Sequence, residues 1–146
     1  MIELYSKKEQ CCGCTACMNI CPKKAIKMVQ DEEGFLYPQI DKEKCIECGL
    51  CKKICAFQNG YDIEGRIENP RVYAVKSKSD ETRITSSSGG MFTEISDYVL
   101  KNGGIVYGVA FDNNLKAIHI RAENYEERDR CKGSKYSQSE LGTIFQ

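Results

Sequence analysis

The sequence offers nothing that could serve as an export signal: Met1 to Gln10 carries Glu3, Lys7, Lys8 and Glu9 and no continuous apolar core. It also has no apolar run near the roughly 18 residues that span a bilayer. Its longest such run, Ile105 to Phe111, is interrupted by Gly108. A cytoplasmic protein without a membrane span is expected. Net charge is missing as well, because 21 Lys and Arg balance 21 Asp and Glu, and no basic patch marks a nucleic-acid surface. Nucleic acid is therefore not an expected partner. The chain has no Walker sequence and no G-x-G-x-x-G, and its single histidine, His119, has no Cys or Asp placed by sequence to complete a triad.

What the chain does have is cysteine. Nine of its ten cysteines lie between Cys11 and Cys55, and the tenth, Cys131, stands alone downstream. A chain of 146 residues holds one ordinary domain, or two small ones if something besides a hydrophobic core helps one of them fold. Dense cysteine without an export signal points to metal rather than to a disulfide scaffold.

The spacing identifies the metal. Cys11, Cys14, Cys17, Cys21 and Pro22 spell C-x2-C-x2-C-x3-C-P, and Cys45, Cys48, Cys51 and Cys55 repeat the run with Ala56 in the place of proline. Three thiolates at every third position wrap one corner of an iron-sulfur cubane, and in this run the fourth ligates the other cluster. Two 4Fe-4S clusters follow, one on Cys11, Cys14, Cys17 and Cys55 and the other on Cys45, Cys48, Cys51 and Cys21. Structural zinc prefers paired C-x2-C motifs supplying four ligands to one ion and leaves the duplication unexplained. Cys12 aligns with Ile46, an apolar position, and reads as a small buried or half-buried side chain, set against the lesser reading of a ligand. Ile20, Ile46, Leu50 and Ile54 are the expected apolar cover of the clusters. Gly13, Thr15, Ala16 and Gly49 are small enough to let backbone N–H groups reach sulfur.

Cys11 to Cys55 resembles the two-cluster bacterial-type ferredoxin domains. That resemblance implies paired short helices and hairpins related by a pseudo-twofold axis. In keeping with it, Ala25 to Val29 and Phe35 to Ile40 read as strands joined by the turn Asp31-Glu32-Glu33-Gly34.

The remainder reads as an ordinary globular segment. Turn residues and charge without periodicity from Asp62 to Pro70 mark a boundary, dividing the chain into residues 1–62, a linker 63–70 and residues 71–146. Val72 to Val75 predicts a strand. Gly89 to Lys101 predicts an amphipathic helix with Met91, Ile95, Tyr98 and Val99 on its buried face, Ser87 or Ser88 as N-cap and Asn102-Gly103 as the stop. Ile105 to Phe111 and Lys116 to Ala122 predict a hairpin around Asp112-Asn113-Asn114, with Ile118 and Ile120 inward and His119 solvated. Glu126 to Cys131 predicts a short helix, and a polar loop, Gly133 to Ser139, precedes a last segment from Leu141 that reads as the start of a helix. The fold class expected is α+β: a two-cluster ferredoxin-like module followed by a small α/β domain. Cys131, between Arg130 and Lys132, is a candidate low-pKa redox thiol set against the plainer reading of a structural cysteine.

Ser86-Ser87-Ser88-Gly89-Gly90 stands at the predicted helix start, where free N–H groups and the helix dipole favour an anion, unless the serines simply cap the helix. With the loop Gly133-Ser134-Lys135-Tyr136, these residues resemble the coenzyme F-420 hydrogenase/dehydrogenase beta-subunit family. Members pass electrons between iron-sulfur clusters, FAD and a deazaflavin or other acceptor. The resemblance implies a flavin pocket touching Ser88, Gly89, Gly90, Ser134, Lys135 and Tyr136. Members also continue past the region matched, with a G-x-P-C stretch absent here, so the second domain is expected to be truncated at Gln146. The function expected is electron relay within an oxidoreductase, between a redox partner protein and a flavin or deazaflavin. A free ferredoxin-like carrier is the alternative, although residues 1–62 balance nine basic against nine acidic side chains and lack an acidic steering surface. A third reading makes the clusters folding staples without redox duty.

Overall fold

The computed structural model describes residues 2–58, 67–144 and 146. The chain divides into two compact units, Met1–Glu68 together with Gln146, and Asn69–Ile144. Short helices and two separate two-stranded antiparallel sheets make the fold α+β. Residues 63–66 of the expected linker lie outside the described residues, and 67–70 form no helix or strand.

In the first unit the duplication is visible in the backbone. Helix α1 (Ala16–Ile20) and helix α2 (Leu50–Ile54) stand at the sequence offset that separates Cys11 from Cys45, and they pack on each other. Ahead of each helix the same two positions are left-handed: Gly13 and Thr15 (φ 67° and 60°) in one run, Glu47 and Gly49 (φ 54° and 76°) in the other. For Thr15 and Glu47 that conformation costs about 1–2 kcal/mol each. It persists because the turn must fold back tightly enough to bring every third side chain to one point. Each helix then closes alike, the Cys21 N–H donating to the Met18 carbonyl (3.3 Å) and the Cys55 N–H to the Lys52 carbonyl (3.1 Å).

Between the helices, β1 (Ile26–Gln30) and β2 (Leu36–Ile40) pair antiparallel, Ile26 opposite Ile40 and Gln30 opposite Leu36. Asp31 organises the turn: its carboxylate accepts the Glu33 and Phe35 N–H groups (3.1 and 2.9 Å) and pairs with Lys8 at 2.6 Å. Pro38 is tolerated because both strands of a two-stranded sheet are edges. Leu4, Ile26 and Cys51 are the buried centre. The expected cover is more open than the sequence suggests, since Ile20, Ile46, Leu50 and Ile54 remain 39–57% exposed. Helices of five residues have room for one inward face, and cysteine occupies much of it.

The second unit contains α3 (Asp80–Ile84), α4 (Met91–Lys101), β3 (Val106–Phe111), β4 (Ala117–Ala122) and α5 (Tyr125–Asp129). β3 and β4 form the expected hairpin, Phe111 opposite Ala117. Residues 72–75 are not a strand: β3 and β4 pair with each other, and Val72 and Tyr73 stay 91% and 68% exposed without a ladder to join. Helix α3 is an addition to the expected elements, yet its signal is in the sequence. Ser79 caps it by accepting the Thr82 N–H (3.1 Å), and Asp80 and Glu81 sit in its first turn, where the helix dipole favours acid.

Helix α4 corrects two further expectations. Its N-cap is Gly90 (φ 82°), with no side-chain cap, rather than Ser87 or Ser88. A Cβ on Gly89 would come within 2.5 Å of the Val75 carbonyl oxygen, and one on Gly90 within 3.0 Å of Thr82 Cγ2. The two glycines thus let the chain pass close to 75–82, while Ser86 Oγ donates to the Thr82 carbonyl (2.6 Å). The buried face of α4 is also polar, holding Thr93 and Ser96, whereas Ile95 and Tyr98 are 59% and 72% exposed. The reason is Arg128 of α5. Its buried guanidinium needs partners, and it takes the Thr93 carbonyl (3.1 Å), Ser96 Oγ (2.5 Å) and the carboxylates of Asp97 and Asp129 (2.5 and 2.7 Å).

His119 is not solvated. Its N–H donates to the Glu140 carbonyl (2.8 Å), and its half-buried ring holds Nδ1 out of water with no hydrogen-bond partner. Residues 140–144 form a bridge at Glu140 and a turn rather than a helix.

Candidate functional site

The left-handed turns and short helices of the first unit deliver its cysteines to two cavities. One is lined by Cys11, Cys14, Cys17 and Cys55, together with Cys12, Leu4, Tyr5, Met28 and Pro38. The other is lined by Cys21, Cys45, Cys48 and Cys51, with Ile2, Ile26, Ile40 and Leu50 around them. Each thus gathers three cysteines of one run and the fourth of the other. Neither lining includes a histidine or a carboxylate, so the donors offered are sulfur. Among the described residues, no three Cys, His, Asp or Glu side chains close around a point the size of a single ion.

Burial governs the thiols. It pushes Cys17 up to about 12 and raises Cys11 and Cys51 above the ordinary thiol range. Backbone N–H groups pull the other way, from Met18 onto Cys17, Gly13 onto Cys11 and Lys52 onto Cys51. The Ala25 N–H likewise donates to Cys21 Sγ at 3.3 Å. These amides favour a charged sulfur that burial alone disfavours, which suits sulfur bound as thiolate to a metal. Four sulfur donors converging with N–H groups aimed at them fit an iron-sulfur cluster.

A serine-lined cavity of about 240 Å³ lies in the second unit. It joins the turn before α4 to the loop after α5, being lined by Ser86, Ser87, Ser88, Gly90, Phe92 and Thr93 on one side and Cys131, Lys132, Gly133 and Ser134 on the other. Of the residues the resemblance singled out, Ser88, Gly90 and Ser134 face it. Gly89 packs on Val75 and Lys76 instead. Lys135 Nζ donates to the carbonyls of Lys132 and Arg130 (2.8 and 3.3 Å), and Tyr136 is 97% exposed. Sequence reasoning misses Thr93 and Lys132. Thr93 is the third residue of α4, its hydroxyl oxygen buried and unpartnered. Inspecting the first turn of the predicted helix for hydroxyls would have found it.

Cys131 does not have the lowered pKa of a redox thiol. Burial raises it, although Lys135, Arg130 and Arg128 act in the opposite sense. Its sulfur packs so closely on β3 that a Cβ at Gly108 would lie 2.7 Å from it. It is a packing cysteine.

Comparison with known proteins gives the class first. Residues 10–59 match the 4Fe-4S dicluster domain, which makes the first unit an iron-sulfur electron-transfer module. Residues 72–146, just over half of the chain, match the family described as coenzyme F420 hydrogenase/dehydrogenase, beta subunit N-term, and the chain belongs to that family. Three curated proteins are similar over shorter stretches. An uncharacterized polyferredoxin-like protein of Methanocaldococcus jannaschii is 38% identical over 56 residues, covering 33% of this chain and 33% of that protein. An uncharacterized ferredoxin of the same organism is 35% identical over 54 residues, 37% of this chain and 69% of that protein. One subunit of the H(2):CoB-CoM heterodisulfide,ferredoxin reductase of Methanothermobacter marburgensis is 33% identical over 64 residues, 35% of this chain but 10% of that protein. The chain spans about a third of the first relative and a tenth of the third. Among the described residues no helix is long and apolar enough to cross a membrane.

Proposed function

We propose that the chain relays electrons within an oxidoreductase, through two 4Fe-4S clusters in residues 1–62 to a flavin held by residues 71–146. Cys11, Cys14, Cys17 and Cys55 would hold one cluster, and Cys21, Cys45, Cys48 and Cys51 the other. The observation that carries this reading is the crossing of the fourth cysteines: each sulfur-lined cavity draws three donors from one run and one from the other, the pattern of two-cluster ferredoxins. Bound there, the clusters supply one-electron transfer. The protein's own part is to exclude water around the sulfurs, to aim N–H groups at them and to release the thiol protons on loading.

The flavin assignment rests on the serine-lined cavity. At about 240 Å³ it is smaller than the roughly 300–1,000 Å³ of a complete small-molecule site, which suits one end of a dinucleotide such as FAD. The uncapped start of α4, the buried Thr93 hydroxyl and Lys132 make it a place for phosphate. Ser88, Gly90 and Ser134 are the lining residues assigned to it. Gly89 is assigned the close backbone approach, and Lys135 and Tyr136 the rim. The electron partner is a protein or subunit, with flavin or deazaflavin as the two-electron carrier.

Anaerobic purification with iron, sulfide and flavin quantified together tests the reading. About eight iron and eight sulfide per chain, as two cubanes require, together with bound FAD is the expected result. The same iron without flavin would favour a ferredoxin-like carrier. Zinc in place of iron would overturn the assignment.

A further inference from the structure

We propose that Cys12 is a reserve ligand for the first cluster, able to replace Cys14. The inference rests on the cluster assignment above and adds a residue to it. Five thiols, not four, line the cavity of Cys11, Cys14, Cys17 and Cys55, and Cys12 is the fifth. Its side chain is exposed, rather than buried or half-buried as the sequence suggests. The duplication supplies an internal control: the matching residue of the second run is Ile46, 57% exposed, and the second cluster cavity offers four thiols and no more among its lining residues.

The chemistry needs neither oxidant nor reductant. One iron–sulfur bond, to Cys14, breaks and another, to Cys12, forms. The proton of the Cys12 thiol passes to the released Cys14 thiolate or to water, and no electron count changes. The carrier turn makes the exchange accessible, because Cys12 and Cys14 flank Gly13, which already sits in the left-handed region at φ 67°. A change of backbone angles at glycine carries little steric penalty. At the matching position the second run has Glu47.

The test compares three variants of the full chain, loaded anaerobically beside the wild type. Cys14→Ala should keep about eight iron and two sets of cluster signals by electron paramagnetic resonance, with the first set shifted by the changed ligand geometry. Cys48→Ala, the matching change in the second run, should fall to about half the iron, and Cys12→Ala/Cys14→Ala should do the same. Mass-mapped alkylation gives a readout independent of folding yield: Cys12 should label in the loaded wild type and become protected in Cys14→Ala. Loss of half the iron in Cys14→Ala, or Cys12 labelling there as readily as in the wild type, would overturn the proposal while leaving the cluster assignment standing. A wild type without iron would overturn both.

Discussion

The first unit buries Leu4, Ala25, Ile26 and Cys51 beside Thr15 and a ring of cysteines, whereas the second unit buries Ala110, Ala117 and Ala122 beside Ser77, Thr93, Ser96 and Arg128. Neither is a conventional apolar core. In the first, the inward positions of the short helices go to cysteine, and what would be core is sulfur. In the second, one guanidinium ties two helices together and sets which face of α4 turns inward. Order therefore comes from donor atoms in one unit and from a hydrogen-bond network in the other, so the two should fail under different insults.

The largest effect should follow removal of iron. A core as small as that of the first unit does not hold a segment of this size without a staple. Chelation under reducing conditions should abolish nearly all slow amide exchange in residues 10–58, while α4 and β3–β4 keep theirs. Hydrogen exchange followed by mass spectrometry reads both units in one experiment. Persistent protection at Ile26, Ile40 and Cys51 after iron loss would break the comparison.

An intermediate effect belongs to Arg128. Arg128→Ala removes the guanidinium bonds to Ser96 Oγ and the Thr93 carbonyl, a hydrogen bond to a charged group being worth about 1.5–3 kcal/mol, while Ser96 Oγ keeps its own bonds to the Phe92 and Thr93 carbonyls. The exposed sides of Asp97 and Asp129, 47% and 49% accessible, recover water, so a total of about 2–3 kcal/mol is expected. Thermal melting should show the loss in the second unit with iron content unchanged. The network also has a pH signature. Desolvation tends to raise Asp129, but its bonds to Lys132 and Arg128 win and hold it below the ordinary range. A depressed carboxylate contributes fully above about pH 4 and loses that contribution as pH falls further. Protection of α5 should therefore drop below about pH 4 in the wild type, and more shallowly in Arg128→Ala.

The same contrast decides what could be read in advance. The duplicated cysteine run is legible because its spacing is itself the geometry: bringing every third side chain to one cavity admits few backbones, and Gly13, Thr15, Glu47 and Gly49 adopt the left-handed turn this needs. Both hairpins were legible for a similar reason, since a turn acts over five residues. The buried face of α4 was not. Its apolar periodicity is real, but Thr93 and Ser96 turn inward because of Arg128, some thirty residues away, and no local pattern announces that. Val72 to Val75 has strand propensity, and propensity becomes a strand only when a neighbour supplies hydrogen bonds. In the serine-lined cavity, Ser88, Gly90 and Ser134 were singled out by the family resemblance, whereas Thr93 was hidden within a helix face.

The smallest effect would sharpen a likeness between the units. Both hairpins use one device: an aspartate whose side chain accepts two N–H groups of its own turn, Glu33 and Phe35 for Asp31, Asn114 and Lys116 for Asp112. The backbone bonds also match, Asp31 N–H to the Phe35 carbonyl and Asp112 N–H to the Lys116 carbonyl, both 2.9 Å. The fourth residue is left-handed in each, but it is Gly34 (φ 88°) in one and Leu115 (φ 59°) in the other. Leu115 is 80% exposed and gains little from packing, so its left-handed cost of about 1–2 kcal/mol is largely uncompensated. Leu115→Gly removes that cost and adds about 0.5–1 kcal/mol of unfolded-state entropy. The net expectation is a gain of about 0.5–1 kcal/mol, seen as a higher melting temperature of the second unit. Gly34→Leu, where a Cβ would meet nothing within 4 Å, should lose a similar amount for the conformational reason alone. Equal and opposite shifts would establish that the two turns are one device, whereas a loss on Leu115→Gly would mean that the leucine is held by contacts that outweigh its backbone.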